Sequence, residues 1–498
     1  MDTTSAGSKS AAQSFLSRPQ LNIIGKERLP ATSGRTIKVY DPATAEVLTT
    51  TPQSAAEDVN RAVMAARKAF DSGPWSKMTP YERARLILKL ADLIEKNQGE
   101  LAEIETLDTG KPIMASRYVD VPLTLNQFHF FAGLATKVRG NTMTISCPYT
   151  PGQQYHSYTL REPVGVAGMI TPFNFPMLLG AMKIAPALAA GCTIVLKPDE
   201  RTPASSLRMA ELAMEAGFPE GVFNVVTGDE EAGAALAAHE AVDKIAFTGS
   251  TEAGRSVVRA AAGNLKKVTL ELGGNSPNIV FEDADVAAAI QGAGFAAYVN
   301  MGECCVAGAR LFVHEKIYDQ VVDGLTKYAA DLKVGAGIDE STQMGPLITG
   351  EHLDKVCGYI ESGRRGGAKV VTGGDRVKRP GYFVQPTVIT NTTPDMKLVA
   401  DEVFGPVVTV ARFKDADQVI AEANNTMYGL AAGVWTRDIS KAHKTAAALK
   451  SGTVWINCYN IFDTALPFGG YKQSGWGRES SPETLELYTQ IKAVCVAL

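Results

Sequence analysis

Apolar positions follow two rhythms along this chain. Between about 56 and 105 they recur every three to four residues, the spacing of helices with one buried face. Ala62, Val63, Ala66 and Phe70 share a face behind the cap-like Ser54, and Thr79-Pro80-Tyr81-Glu82 opens a second helix with Leu86, Leu88, Leu90, Ala91 and Ile94 on its apolar side. From 164 onward the apolar residues come in short unbroken runs. Residues 164–170, 192–196, 222–226, 244–247 and 267–272 read as strands, separated by helices over 181–191, 203–217, 231–239 and 252–262. Fully apolar strands alternating with helices indicate a parallel sheet covered on both faces. After Gly273-Gly274 the alternation restarts, with strands at 278–281 and 309–313 and helices at 286–300 and 317–332. The fold class is therefore α/β, in two halves that meet near 272–275. Residues 489–498 alternate weakly as a terminal strand, far from any hairpin partner, which suggests pairing with another subunit.

Size and charge narrow the field. At roughly 150 residues per domain, 498 residues correspond to about three units. A 45% apolar and 20% charged composition excludes a disordered or collagen-like chain. A net charge of -4 leaves no strong basic field for a nucleic acid or an acidic membrane surface. The longest apolar stretch, near 164–196, carries Asn174, Lys183 and prolines, so it is no transmembrane helix. The first twenty residues read as a loose tail without a signal-peptide pattern. Seven scattered cysteines, with no CxxC and no zinc spacing, point to a reducing compartment and to no metal.

Candidate chemistry sits in seven short segments. The turn Thr248-Gly249-Ser250-Thr251-Glu252-Ala253-Gly254 joins a strand to a helix, where small residues and a helix N-terminus can receive a phosphate; an ordinary tight turn is the alternative. Lys197 and Glu200 lie just past a strand end, where open sheets bind ligands, and a carboxylate there suits ribose hydroxyls and disfavours a 2′-phosphate; a solvated loop is the plain reading. Gly302-Glu303-Cys304-Cys305-Val306-Ala307-Gly308 surrounds a cysteine pair with small residues, which fits a nucleophile as well as an inert buried thiol. Glu271 lies between Leu270 and Leu272 before paired glycines, and burial there would raise its pKa toward that of a general base. Asn174, in Thr171-Pro172-Phe173-Asn174-Phe175-Pro176, can present an amide to an oxyanion or merely close a turn. Glu402-Val403-Phe404-Gly405-Pro406 and Pro467-Phe468-Gly469-Gly470-Tyr471-Lys472-Gln473-Ser474-Gly475 pair aromatics with glycines in loops.

In order and spacing over about residues 20–498, this set resembles the NAD(P)-dependent aldehyde dehydrogenase superfamily, near its phenylacetaldehyde-type and general members. The resemblance implies a Rossmann-like NAD-binding domain from 1–140 and 161–272, an α/β catalytic domain from 273–471, and a small β oligomerisation element from 141–160 and 484–498. It implies Cys305 as nucleophile, Glu271 as base and Asn174 as oxyanion donor, with Lys183 among the catalytic residues. NAD is the implied cofactor, held by Ile170, Thr171, Pro172, Phe173, Lys197, Glu200, Gly228, Phe247, Gly249, Ser250, Leu272, Glu402 and Phe404. The substrate slot is expected from Phe175, Leu179, Met182, Cys304, Val306, Asn460, Phe462 and Phe468, an apolar, aromatic lining that favours an aromatic or arylacetic aldehyde, with medium-chain aliphatic aldehydes as the alternative. A homodimer or homotetramer in the cytoplasm is implied as well. Two other classes stay open, a cofactor-independent thiol esterase and an inactive structural homologue.

Three positions depart from the pattern. Glu303 replaces the usual Gln, an added carboxylate expected to raise the neighbouring thiol's pKa. Phe173 replaces Trp, and the loop 227–231 is one residue short, weakening the expected contact from Gly228.

Overall fold

A computed structural model describes residues 9–498. Two parallel sheets dominate. The first has eight strands in the order Gly475–Trp476, Lys267–Glu271, Lys244–Thr248, Val166–Ile170, Thr193–Lys197, Phe223–Val225, Asn22–Ile24 and Glu27–Leu29. Its five central strands are parallel and run outward in both directions from Val166–Ile170. The strand order thus reverses between Val166–Ile170 and Lys244–Thr248, which opens a crevice at their carboxyl ends. Each of these central strands but Lys267–Glu271 is fully buried, as unbroken apolar runs require.

The second sheet has seven strands, ordered Lys369–Thr372, Thr387–Thr390, Val407–Phe413, Arg310–His314, Pro277–Val280, Ala431–Trp435 and Thr453–Ile456. Only its Lys369–Thr372 edge is antiparallel. The chain passes between the sheets at 272–276, and the first sheet's carboxyl edge faces the loops that enter the second sheet's strands. Gly475–Trp476 returns to pair antiparallel with Leu270 and Glu271, tying the far end of the chain to the first sheet.

Several expectations need correction. The terminal strand Thr489–Ala497 pairs along its length with Tyr155–Pro163 of the same chain, which in turn pairs with Thr142–Met143. That strand also crosses the expected boundary at 160. The supposed loose tail falls partly outside the described residues, but Ala11–Leu16 is a helix capped by the Ser10 hydroxyl, with Phe15 and Leu16 buried in the main core. Leu88 is exposed; the buried stripe of helix Pro80–Lys96 is Ala84, Ile87, Leu90, Ala91 and Ile94. The helix expected at 181–191 begins five residues earlier, at Pro176, whose ring fits the first helical position. That helix carries Lys183 into the interior.

Candidate active site

The first sheet supplies polar groups at its strand ends. Glu271 closes strand Lys267–Glu271, held by the backbone of Gly475 opposite and by Leu272 N–H donating to Ser474 O at 2.9 Å. Glu271 is 3% exposed as a residue, and its carboxyl Oε2 has no hydrogen-bond partner. Burial, and then repulsion by Glu479, hold that carboxyl well above the usual range, while Lys183 and Arg478 pull the other way. The carboxyl lies against Gly469, where a Cβ would collide with it. Lys183 Nζ donates to Thr248 Oγ1 at 2.7 Å and to Glu479 Oε1. Phe468 and Glu479 exchange backbone bonds of 2.8 and 2.7 Å, so one short bridge places an aromatic wall and a buried acid together. Lys183, Glu479 and Glu271 thus form one buried ionisable chain.

The second sheet supplies groups on entry loops. Cys305 lies ahead of strand Arg310–His314, half-buried, its carbonyl against Gly274 where no side chain would fit. The hydrogen bond with Cys304, then burial, then Glu402 and Glu271, push its thiol well above the usual value. The electrostatic influence of both carboxyls marks Glu402 and Glu271 as near neighbours of the thiol. Asn174 Nδ2 donates to Glu303 O at 3.0 Å, and Asn300 Nδ2 donates to Glu303 O and to Asn174 O at 3.0 and 3.2 Å. Asn174 is thereby locked one residue from the cysteine pair, with its second N–H uncommitted. Glu303 does not act on the thiol as expected: its carboxyl accepts from Ile348 N–H at 3.0 Å, and burial pushes it up to about 8.

Around Cys305, Leu179, Met182, Cys304, Val306 and Phe468 share one buried cluster, with Phe175 packed against it. Leu179 and Met182 lie three apart on helix Pro176–Ala190, one turn face together. Phe462 packs edge-on against Phe468 and Trp455, at 5.7 and 5.6 Å between ring centres. Asn460 adopts a left-handed conformation, and neither of its amide atoms has a partner.

A dinucleotide fits the crevice at the strand-order reversal. Thr171 follows Ile170 at one strand end and keeps a buried hydroxyl without a partner. Gly249 follows the other, where a Cβ would strike the Phe247 ring, and Ser250 caps the next helix by accepting from Ala253 N–H. Leu272 packs on that helix at Gly254. Lys197, the last residue of strand Thr193–Lys197, pairs with Glu200 at 3.3 Å. Gly228 is packed against the Ser54 backbone and Ala232, and Asp229 caps the helix Glu230–Ala238. Pro172 and Phe173 lead into Asn174, with the Phe173 ring 5.8 Å from Phe404 and capped by the Arg201 guanidinium at 4.4 Å. Glu402 accepts from Gly274 N–H at 2.9 Å, and burial pushes its carboxyl up to about 7.

Residues 29–494 match the model of the aldehyde dehydrogenase family. The chain belongs to the aldehyde dehydrogenase family. The mitochondrial family 2 member B4 aldehyde dehydrogenase of Arabidopsis thaliana is 48% identical over 99% of this chain and 92% of its own. A mitochondrial benzaldehyde dehydrogenase of Antirrhinum majus is 48% identical over 95% of this chain and 88% of its own. A Bacillus cereus aldehyde dehydrogenase, solved as its NAD+ complex, superposes with a TM-score of 0.96 at 49% identity, over 99% of both chains. The enzyme is an oxidoreductase acting on aldehydes.

Glu479, Arg478 and His352 were not singled out in the sequence. The first two close the glycine-rich run that starts at Pro467, and that charged ending was the available signal. His352 sits mid-chain on helix Gly350–Arg365 with no local mark.

Proposed function

We propose that the enzyme oxidises an aromatic or arylacetic aldehyde to its free acid with NAD as electron acceptor, through an acyl group carried on Cys305. The Asn174 amide fixed on the Glu303 carbonyl beside the cysteine pair, together with the electrostatic influence of buried Glu271 on Cys305, supports the chemistry. The thiol proton must leave to solvent before attack. The Cys305 sulfur then bonds to the carbonyl carbon. The free Asn174 N–H and the Cys305 backbone N–H donate to the oxygen as its charge grows. Bound NAD supplies the oxidation, taking two electrons and the aldehyde hydrogen. Cys305 is left holding a thioester. Glu271 removes a proton from water as the water oxygen attacks that carbonyl, and the sulfur leaves. Glu479 and Lys183 continue the path by which Glu271 can shed the proton. A base poised for water favours a free acid over transfer to a thiol acceptor.

Thr171, Gly249 and Ser250 would hold the pyrophosphate side, Lys197 and Glu200 the adenosine ribose, and Glu402 with Phe404 the nicotinamide riboside. The edge-on Phe462–Phe468 pair and Phe175 favour an aryl ring, in keeping with the benzaldehyde dehydrogenase among the relatives. Comparing kcat/KM across phenylacetaldehyde, benzaldehyde and hexanal, with NAD and NADP, tests this. A preference for hexanal would leave the aliphatic reading standing, and ester turnover indifferent to NAD, without NADH, would favour a thiol esterase.

Residues 1–140 with 161–272 are proposed as the NAD-binding unit, 273–471 as the catalytic unit, and 141–160 with 484–498 as the oligomerisation element. The edge strand Thr489–Ala497 with its exposed Ile491 and Val496 supports a homodimer or homotetramer. A cytoplasmic location is supported by seven free cysteines. Among the described residues no helix is long and apolar enough to cross a membrane.

A further inference from the structure

Glu303 belongs to the departure noted beside the cysteine pair, and its two ends do different things. Its backbone carbonyl receives the Asn174 and Asn300 amides at 3.0 Å each. Its carboxyl, 1% exposed, reaches the other way, accepting from Ile348 N–H at 3.0 Å and stopping 3.6 Å short of His352 Nε2. That same Nε2 lies 2.7 Å from Phe404 O. A carbonyl only accepts, so Nε2 carries the proton. The His352 ring stands edge-on to Phe173 and Phe404, at 6.3 and 6.2 Å. Phe404 itself is held at a φ of 55°, a strained value for a residue with a side chain.

We propose that Glu303 is a positioning residue that couples the Asn174 side of the cavity to the Glu402–Phe404 loop, its carboxyl fixing Ile348 and sharing His352 with the Phe404 carbonyl. This rests on the reading that Phe404 borders the cofactor. While Glu303 is protonated, the His352 N–H belongs wholly to Phe404. Once ionised, the carboxylate draws that N–H and loosens the loop. The groups facing Glu303 are His352, the Arg201 guanidinium and the Lys111 ammonium; both cations favour ionisation, and burial outweighs them, leaving the carboxyl at about 8. Burial also depresses His352 to about 4, so it stays neutral throughout. A folded-state pKa raised above the unfolded value gives a native state that binds the proton more tightly. Its contribution to stability is full below the unfolded value and drains away as pH rises toward about 8.

The test uses the apoenzyme and NAD itself. The Tm of Glu303→Gln should gain on wild type by a few degrees as pH rises from 5 to 8, since the amide cannot ionise. Titrated by tryptophan quenching, NAD should bind wild type about tenfold more weakly at pH 9 than at pH 7, while Glu303→Gln stays level. His352→Leu should bind weakly at both pH values. Glu303→Gln repeating the wild-type fall in affinity, or a Tm difference that does not change with pH, would overturn the proposal. Phe404→Ala with undiminished NAD binding would count against the cofactor assignment instead, and the Tm comparison would still decide on Glu303.

Discussion

The two sheets deliver their functional groups by different physical means. In the first, Thr171, Lys197, Thr248 and Glu271 sit at or next to the ends of straight apolar strands, and between residues 166 and 271 only Leu265 among non-glycine residues has a positive φ. In the second, the site is carried by loops, and non-glycine residues with positive φ lie in the segments that carry it: Asn300, Met301, Phe404 and Asn460. Each such conformation costs on the order of 1–3 kcal/mol. The first sheet therefore presents a rigid rim that needs no strain, whereas the second stores strain to aim its groups. Binding sites that follow from topology and catalytic sites that need aiming are separated within one molecule.

Removing the aimed nucleophile gives the largest break. Cys305→Ala should abolish NADH formation while leaving Tm near wild type, and turnover persisting through Cys304 would defeat the assignment. Next comes the amide: Asn174→Ala should lower kcat by about 10² to 10³, with the thiol still open to alkylation by iodoacetamide. Glu479→Gln sharpens the link between the sheets. Its carboxyl is one of the causes that raise Glu271, so its loss should move the alkaline rise of thioester hydrolysis to lower pH, read as a shift in the kcat–pH profile. A shift to higher pH would mean that Glu479 assists ionisation of Glu271. The smallest effect tests strain directly: Lys472→Gly, on an exposed turn, should leave Tm unchanged or raise it slightly, because glycine tolerates positive φ.

The same contrast explains what the sequence made legible. Strand–helix alternation from 164 to 332 marked the five parallel strands of the first sheet and two of the seven in the second, because apolar runs and helical spacing are local signals. The strands Asn22–Ile24 and Thr36–Asp41 left no comparable trace, being short, partly exposed or held by distant partners. Asn174, Glu271 and Cys305 stood out because each is a reactive group in an apolar or glycine-rich frame. Glu479 did not, since its meaning comes from Lys183, almost three hundred residues away. The orientation of Glu303 was misread for the same reason: adjacency in sequence placed it beside the thiol, and the backbone turned its carboxyl toward Ile348.

The most direct measurement mixes Glu271→Gln with NAD and phenylacetaldehyde, quenches within the first turnover, and maps the adduct by peptide mass spectrometry. The account predicts one equivalent of NADH released in a burst and a phenylacetyl group on Cys305, decaying slowly. A burst without a protein-bound acyl group, or an acyl group on Cys304, would contradict it.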